Sequence, residues 1–363
     1  MALKVYVGMS GGVDSSLTAA LLHEQGYDVT GVYMKNWTQD LPGMKCPWAD
    51  DLADAKRVAV QLNIPFKVFD FQKEYKQKVV DYMIAEYQAG RTPNPDIMCN
   101  QEVKFKVFLE AALEDGADVI ATGHYARVKN AISGPNSKVN DKLGELLVAE
   151  DTAKDQTYFL YRITQAALAR TLFPLGDMTK QQVRQEAQKR GLITADKKDS
   201  QGICFVGKVG IKEFLQQYVT AEPGDIIDTQ TGKIVGQHEG AIFYTFGQRH
   251  GLGVGGGLPY YVVGKDMAKN QVFVTTNLND SALWRSGLKL EQIHWINHTP
   301  TPGATYKVRT RYLAPLVDCS VTTQDGAVVV QLAEPERAIT PGQSAVMYHN
   351  GRVIGGGIVT TAF

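Results

Sequence analysis

One stretch decides the fold: Ser10-Gly11-Gly12-Val13-Asp14-Ser15-Ser16. The apolar run before it, residues 3–9, predicts a buried strand, and the pattern after it, residues 17–24, predicts a helix that stops at Gly26. Glycines let the backbone turn tightly and approach a ligand closely. Hydroxyl groups and the free N–H groups at a helix N-terminus bind an anion, which the helix dipole also favours. The stretch therefore predicts a phosphate-binding loop at the C-terminal end of a first parallel strand.

This loop differs from two common nucleotide-binding loops. No Lys follows its glycines, so it does not fit G-x-x-x-x-G-K-[ST], and its glycine spacing does not fit G-x-G-x-x-G. It resembles instead the PP-loop, S-G-G-x-D-S, of the ATP pyrophosphatases. Those enzymes cleave ATP between the α and β phosphates and adenylylate a carbonyl oxygen. The alternative is a glycine-rich turn that binds no ligand.

The composition indicates an ordinary soluble globular protein. The chain has 363 residues, 44% hydrophobic and 21% charged, which suffices for two or three domains. No apolar run approaches the ~20 residues of a membrane span, and the N-terminus lacks a signal-peptide layout, so we expect a cytoplasmic protein with no membrane partner. Its four cysteines form no C-x-x-C pair, which argues against a structural zinc site and a secreted disulfide framework.

Charge gives only a local indication of a partner. Lys and Arg together number 38, as do Asp and Glu, so the net charge does not point to nucleic acid. Residues 162–212, however, contain ten Lys or Arg against four Asp or Glu. Such a stretch can attract a polyanion, although a solvated helix face explains it equally well.

Strand and helix patterns alternate through the first third of the chain. They predict strands over 28–34, 66–71 and 118–122, and helices over 51–62, 73–89 and 101–114. Repeated β–α units give a parallel sheet with helices on both faces. Ligands bind beyond the C-terminal ends of such strands, where residues 34–37 and 123–125 should join the loop. We therefore expect an α/β, Rossmann-like domain of the PP-loop (adenine nucleotide alpha hydrolase) type.

The rest of the chain changes character. A helix is predicted over 179–190, with Thr179 as its N-cap. The composition shifts around 205–211, and beyond it short strand patterns are separated by Pro302-Gly303, Asp325-Gly326 and Asn350-Gly351 turns. We predict a catalytic domain over 1–210, a small linking domain over 211–279 and a C-terminal β-barrel over 280–363.

Two of the cysteines have suggestive surroundings. Cys99 stands before the predicted helix at 101–114, with Asn100 as a plausible N-cap, and a helix N-terminus lowers the pKa of a thiol. Cys204 lies in a polar loop within the basic stretch. For each cysteine, a buried inert thiol is an equal alternative on position alone. Cys46 and Cys319 show no such surroundings.

Eight further motifs follow the loop. They are 31–37 (GVYMKNW), 90–100 (GRTPNPDIMCN), 121–125 (ATGHY), 154–156 (KDQ), 200–205 (SQGICF), 244–249 (YTFGQR), 308–312 (VRTRY) and 341–343 (PGQ). Together with the loop, they resemble the bacterial tRNA-specific 2-thiouridylases (MnmA/TrmU family) over nearly the whole chain, in order.

The resemblance implies roles for individual residues. Cys99 corresponds to the nucleophile, Cys204 to the persulfide-carrying cysteine, and Asp96 to a general acid or base. Residues implied in ATP binding are Gly8, Met9, Ser10, Gly11, Gly12, Val13, Asp14, Ser15, Met34 and Gly123. Residues implied in contact with the target base are Asn94, Pro95 and Asp96. Residues implied in tRNA contact are His124, Lys154, Asp155, Gln156, Arg311, Tyr312 and Gln343.

The reaction implied is the ATP-dependent 2-thiolation of uridine at the wobble position (U34) of tRNA, by a tRNA-uridine 2-sulfurtransferase. AMP is transferred to the C2 oxygen, and sulfur arrives from a cysteine persulfide, giving 2-thiouridine, AMP and pyrophosphate. Either the persulfide attacks C2 directly and a Cys99–Cys204 disulfide forms, or Cys99 first releases hydrosulfide. ATP and Mg²⁺ would be required, with the tRNA anticodon loop and a persulfide sulfur-donor protein as partners. A monomer suffices for this chemistry.

Three alternatives stay open at this point. Other PP-loop enzymes, such as amide-forming synthetases, adenylylate small molecules and need no paired thiols. Asp96, Cys99 and Cys204 could instead ligate an iron–sulfur cluster. A chain without catalysis would be an RNA-binding module with a vestigial nucleotide fold.

Overall fold

The computed structural model describes residues 2–40, 46–139, 144–198, 210–255, 257–301, 303–324 and 326–363. The strands are β1 (Lys4–Gly8), β2 (Asp28–Lys35), β3 (Phe66–Asp70), β4 (Val119–Thr122), β5 (Arg127–Lys129), β6 (Glu145–Leu147), β7 (Thr171–Leu172), β8 (Gly224–Asp228), β9 (Ile234–His238), β10 (Tyr261–Asp266), β11 (Gln271–Thr275), β12 (Trp284–Trp295), β13 (Thr305–Arg309), β14 (Val317–Gln324), β15 (Ala327–Arg337), β16 (Ser344–His349) and β17 (Arg352–Ala362).

The α-helices are α1 (Val13–Glu24), α2 (Trp48–Gln61), α3 (Gln72–Tyr75), α4 (Asp81–Gln88), α5 (Pro95–Met98), α6 (Phe108–Glu114), α7 (Gln165–Ala169), α8 (Lys180–Lys189) and α9 (Ile211–Leu215). Two π-helical segments, Lys76–Val80 and Cys99–Val107, join α3 to α4 and α5 to α6, so each pair forms one continuous helix. Short 3₁₀ helices span Thr157–Phe159, Ala241–Phe243 and Ser281–Leu283. Among the described residues, no helix has both the length and the apolar character that crossing a bilayer requires.

A parallel sheet in the order β3-β2-β1-β4-β7 forms the first part of the molecule. Alternate residues of β1 point to opposite faces, so Val5 and Val7 pack in one apolar core with Leu17 of α1, while Tyr6 packs in another with Phe108 of α6. Helices therefore cover both faces of the sheet. The Rossmann-like α/β domain expected from the sequence is confirmed.

Two all-β units follow. The smaller is a four-stranded sheet in the order β10-β11-β8-β9. The larger runs β12-β15-β14-β13-β16-β17, and β12 also pairs with β17, which closes a six-stranded barrel. A closed barrel leaves no unpaired edge among these six strands. The predicted small linking unit and C-terminal β-barrel are both confirmed as folds.

The hairpin of β5 and β6 belongs to the barrel rather than to the first sheet. Leu147 of β6 pairs with Arg352 of β17, and Leu146 packs in a core that also holds Val346 and Val353 of the barrel. The pairing of this hairpin with the barrel ties the first part of the chain to the last.

Candidate active site

The predicted phosphate loop connects β1 to α1. Gly11 has φ +75°, a conformation that favours glycine, and a Cβ there would collide with the backbone of Asp51 in α2. Gly12 is the N-cap of α1, and no side chain of the described residues caps that helix end. Ser15 closes the loop, because its Oγ accepts a hydrogen bond from the Ser10 backbone N–H at 3.1 Å. The first N–H groups of α1 are therefore left for an anion.

The ends of two neighbouring strands border the same loop. Met34, next to the end of β2, is 5% exposed, and its Cε lies 3.0 Å from the position that a Cβ on Gly8 would take. Gly123 follows β4, and a Cβ there would lie 2.8 Å from the backbone nitrogen of Ser15. Gly123 thus lets the strand end close on α1. Met9, by contrast, is buried in the core beneath the sheet, so its side chain does not reach the loop's open side.

Asp14 is held by two groups from distant parts of the chain. Lys180 Nζ lies 2.8 Å from both carboxylate oxygens of Asp14, and the Tyr125 hydroxyl donates to Oδ1 at 2.9 Å. Lys180 begins α8, whose start is set by a capping box between Thr179 and Gln182. The Lys180 side chain is 13% exposed. The predicted N-cap at Thr179 is confirmed. Lys180 and Asp14 are 166 residues apart in the chain, so motif spacing could not predict that this cation would lie beside the loop.

The helix that contains Cys99 begins earlier than the sequence predicted. We expected it to start directly after Cys99, with Asn100 as its cap. In the structure α5 starts at Pro95, and the Asn94 side chain caps it by accepting from the N–H of Asp96 at 3.1 Å and of the next residue at 3.3 Å. The expected cap was wrong, because Asn94 already satisfies these donors. Asn followed by Pro at the first helical position was the missed signal.

Cys99 therefore lies inside a continuous helix, away from the free N–H groups that would stabilise a thiolate. Its side chain is 1% exposed and packs in the same core as Ile97 and Val103. Asp96 and Asn100, on the same helix, line the adjoining cavity, whereas Cys99 lies behind its wall. Cys204 and the rest of the 200–205 motif lie outside the described residues.

His124 is buried beside this cavity as a neutral imidazole. Its Nδ1 lies 2.8 Å from Thr122 Oγ1, and its Nε2 lies 3.5 Å from Lys104 Nζ. An ammonium group only donates, so Nε2 accepts and Nδ1 carries the proton. Burial, together with the charge of Lys104, holds the pKa of His124 well below its ordinary value. His124 therefore meets a ligand without a charge of its own.

These elements enclose a cavity of about 530 Å³, a size common for small-molecule sites. The charged side chains that line it are five lysines and three aspartates: Lys104, Lys154, Lys180, Lys197, Lys198, Asp14, Asp51 and Asp96. Lys197 also holds α2 against the cavity, since its Nζ lies 2.8 Å from Asp51 and 2.7 Å from Asp54. The excess positive charge suits a polyanion such as a triphosphate or RNA.

The residues expected to contact tRNA divide into two groups. His124, Lys154, Gln156 and Tyr312 line the cavity, and the Tyr312 ring lies 4.4 Å from that of Phe159. The remaining three make internal contacts. They are Asp155, Arg311 and Gln343, bonded respectively to Thr157, Ala338 and Thr92.

Gln343 supports the segment that leads into α5. Its Nε2 donates to the backbone oxygen of Thr92 at 2.8 Å, and the Thr92 N–H donates to Pro341 at 2.9 Å. Thr92 Oγ1 also lies 3.4 Å from Thr245 Oγ1 of the linking unit. All three units of the molecule thus meet at the segment that precedes Asn94.

The described residues contain no group of three or more His, Cys, Asp or Glu side chains arranged to hold a metal ion. Mg²⁺ does not need such a group, because it usually binds through one or two carboxylates together with substrate phosphates. Asp14 lies in the first turn of α1, so the site fits Mg²⁺ that arrives with a nucleotide.

Three family models match the chain in succession. Residues 3–208 match the "tRNA methyl transferase HUP domain", 212–276 the "tRNA methyl transferase PRC-barrel domain" and 285–359 the "Aminomethyltransferase beta-barrel domain". These spans follow the parallel sheet, the four-stranded sheet and the closed barrel.

Full-length relatives carry a different description. The chain is 46% identical over 369 residues to the tRNA-specific 2-thiouridylase MnmA of Methylobacillus flagellatus, covering all of both proteins. It is 48% identical over 369 residues to that of Legionella pneumophila, covering 99% of each. Among solved structures, the NMN synthetase of Francisella tularensis matches 55% of this chain and 67% of its own at 16% identity, with a TM-score of 0.33. That last likeness is too distant to support a conclusion.

Proposed function

The chain belongs to the tRNA-specific 2-thiouridylase family, and we propose that it replaces the C2 oxygen of the wobble uridine of tRNA by sulfur in a reaction that consumes ATP. The products would be 2-thiouridine, AMP and pyrophosphate, which makes the chain a tRNA-uridine 2-sulfurtransferase. One observation supports this most strongly. The phosphate loop and the helix that contains Cys99 border a single positively charged cavity. Asp96 and Asn100 are the residues by which that helix lines it.

The nucleotide would occupy the loop side of the cavity. The residues proposed to bind ATP are the loop residues Gly8, Met9, Ser10, Gly11, Gly12, Val13, Asp14 and Ser15. Met34 and Gly123 would contact the adenosine. The open N–H groups of α1 would hold the phosphates, and Lys180 would offset their charge. Mg²⁺, held by Asp14 and the phosphates, would stabilise the charge on departing pyrophosphate.

The base would enter on the side of α5. The oxygen at C2 of uracil is a poor leaving group, and transfer of AMP to this oxygen makes it a good one. Forming that bond requires the N3 proton to leave, and Asp96, which lines the cavity, is the proposed general base. Asn94 and Pro95 would position Asp96, because they form the cap and first residue of its helix.

Sulfur would arrive as a persulfide on Cys204, loaded by a donor protein. Its terminal sulfur attacks C2 and displaces AMP, and Cys99 then attacks the Cys204 sulfur, which releases 2-thiouridine and leaves a Cys99–Cys204 disulfide for an external thiol to reduce. In the alternative order, Cys99 first releases hydrosulfide. Because Cys99 is 1% exposed, either order requires a conformational change that opens the cavity wall.

The tRNA would be gripped around the cavity mouth. His124, Lys154, Gln156 and Tyr312 line the cavity and are the proposed direct contacts. Asp155, Arg311 and Gln343 would act by holding neighbouring segments in place. A wobble base must leave its stack to enter, which an unpaired anticodon loop allows at low cost. A monomer would suffice.

The test is nucleoside analysis after reaction in vitro. The protein is incubated with ATP, Mg²⁺, an unmodified tRNA transcript and a persulfide or sulfide source, and the digested tRNA is examined by mass spectrometry. We expect 2-thiouridine that depends on ATP. A matched transcript with cytidine at the wobble position should remain unmodified.

Two results would contradict the proposal. A methylated nucleoside without thiouridine would favour the chemistry named in the matching domain models. ATP cleavage to AMP that does not depend on tRNA, with no sulfur in the tRNA, would favour an amide-forming PP-loop enzyme.

A further inference from the structure

Asn36 is a buried amide that has no hydrogen-bond partner among the described residues. It directly follows β2 and is 1% exposed. Neither its Nδ2 nor its Oδ1 is hydrogen-bonded within the described part of the chain. An unpaired buried amide destabilises the folded state, so such groups are rare unless something else binds them. Asn36 lines the cavity of the candidate active site, where a ligand can complete its hydrogen bonds.

Asn100 is a second buried amide on the same cavity, and it is 3% exposed. Its Nδ2 donates to the backbone oxygen of Phe159 at 3.3 Å. Its Oδ1 is buried and accepts no hydrogen bond from the described residues. Because the bond to Phe159 fixes which end of the amide is the nitrogen, Asn100 offers a ligand an acceptor of fixed orientation.

Both amides line the same cavity as Asp96, and Asn100 directly follows Cys99 in the chain. Trp37, the neighbour of Asn36, packs in the same apolar core as Ile97 and Cys99. The two amides therefore share a cavity with Asp96, the group proposed to act on the base.

An amide donor and an acceptor of fixed orientation that line one cavity can together match one edge of uracil. Uracil offers an N3–H donor next to an O4 acceptor. Cytosine offers the opposite pattern, an N3 acceptor next to an amino donor. A site whose polar groups are buried rejects the wrong pattern strongly, because its own groups then remain unpaired.

We propose that Asn36 and Asn100 read the target base: Asn36 Nδ2 donates to O4 of uracil, and Asn100 Oδ1 accepts from N3–H until that proton leaves. The inference rests on the proposed function and deepens it by naming the residues that select uridine over cytidine. Both are specificity-determining residues, distinct from the groups that transfer AMP or sulfur.

Two substitutions at Asn36 test this. Asn36→Leu removes donor and acceptor at similar size and should lower kcat/KM for thiolation by about tenfold to a hundredfold. Asn36→Asp removes only the donor and should lower kcat/KM for thiolation of the uridine transcript by at least about tenfold. Since no bond to the nucleotide is lost, KM for ATP should change by less than about twofold in both variants.

A binding measurement separates this inference from the proposed reaction. Anticodon stem–loops that differ only in uridine or cytidine at the wobble position are titrated, in the presence of an ATP analogue that cannot be cleaved between the α and β phosphates. The wild type should prefer uridine, and both variants should lose that preference. If the wild type makes no thiouridine yet shows this pattern, the proposed reaction fails and the reading site stands.

Three outcomes would overturn the inference. A rise in KM for ATP that matches the loss of thiolation would assign Asn36 to adenine. Wild-type discrimination in both variants would remove Asn36 from base reading. A fall in the Tm of Asn36→Leu that accompanies its loss of thiolation would make Asn36 structural, whereas we expect the Tm of this variant to stay or rise, because the substitution removes a buried polar group without partners among the described residues.

Discussion

His124 shows how the fold sets the charge of a single residue. Burial and the neighbouring Lys104 hold the pKa of its imidazole well below the ordinary value. The unfolded chain therefore binds a proton at mildly acidic pH that the folded chain does not. The stabilisation is complete above the unfolded pKa and is lost as the pH falls below it. His124 thus makes the protein less stable in acid.

The prediction concerns His124→Asn, which removes this titration. Between about pH 7 and pH 5, the free energy of unfolding of the wild type should fall by up to about 2 kcal/mol more than that of the variant. Urea unfolding at the two pH values measures this. His250→Asn, at an exposed histidine, should behave like the wild type. Equal losses in wild type and His124→Asn would contradict a neutral buried imidazole.

The two cysteines proposed to carry sulfur give a second prediction at this scale. Cys99→Ser and Cys204→Ser should each reduce thiolation below about a thousandth of the wild-type rate, because the nucleophile or the persulfide is lost. Each variant should still convert ATP to AMP in the presence of tRNA, with at least one turnover per active site. Single-turnover assays of both products make the distinction.

Cys319→Ser is the matched control. Cys319 is a buried free thiol of the barrel, and burial raises its pKa to about 12, so it remains a thiol. This variant should thiolate normally. Normal thiolation by Cys99→Ser would instead remove Cys99 from the mechanism.

Some residues of the site were visible in the sequence, and others were not. Ser10 and Gly12 could be placed because a strand, a loop and a helix adjoin in the chain. Lys180 could not, because its approach to Asp14 depends on how α8 packs against α1. Asn36 carried no local signal, because its lack of hydrogen-bond partners among the described residues is a property of the packed cavity.

At the scale of elements, the segment before α5 is held by the turn at 340–343. Gly342 has φ +93°, and a Cβ there would lie 2.7 Å from the backbone nitrogen of Thr92. Backbone strain and a close contact therefore both oppose a side chain. The contact lies two residues from Asn94, the cap of the helix that carries the proposed catalytic groups.

Gly342→Ala should consequently destabilise the protein by about 1–3 kcal/mol and lower the turnover number for thiolation. Gly232→Ala is the control: Gly232 has φ +68°, and nothing lies near its missing Cβ. That variant should share the strain and keep its turnover number. Thermal unfolding and steady-state thiolation give both quantities. Equal turnover numbers in the two variants would show that the turn does not support α5.

Elements with strong local signals were predicted well, and α5 was not. The helix after Thr179 was found because its cap and its end are coded within a few residues. The helix that contains Cys99 was predicted to begin too late, because the cap formed by Asn94 and Pro95 was not recognised. Their capping role became clear from the hydrogen bonds that Asn94 accepts.

At the scale of the whole molecule, a buried ion pair helps join the first domain to the barrel. Arg309 of β13 lies 3.6 Å from Asp155, and the two side chains are 13% and 4% exposed. Asp155 also accepts hydrogen bonds from Ala149 and Thr157. A buried carboxylate that loses its cation is destabilised far more than an exposed one.

Arg309→Met should therefore lower the free energy of unfolding by about 3–5 kcal/mol. Lys307→Met, in the same strand, breaks a pair with Asp318 that is 53% exposed on each side and should cost less than about 1 kcal/mol. Chemical denaturation of both variants tests this. Similar costs would show that the domain junction does not depend on Arg309.

The sequence indicated three units in the right order, but the connection between them required the structure. Pairing of β6 with β17 brings together residues about two hundred positions apart, and no local pattern encodes such a contact. The domain limits at 210 and 280 remain predictions.

Transfer of AMP to the uridine oxygen is the central claim, and an isotope measurement tests it most directly. A tRNA labelled with a heavy oxygen isotope at C2 of the wobble uridine is thiolated with unlabelled ATP, and the AMP is analysed by mass spectrometry. We predict one labelled oxygen in the phosphate of AMP for each 2-thiouridine formed. Thiolated tRNA accompanied by unlabelled AMP would contradict the account.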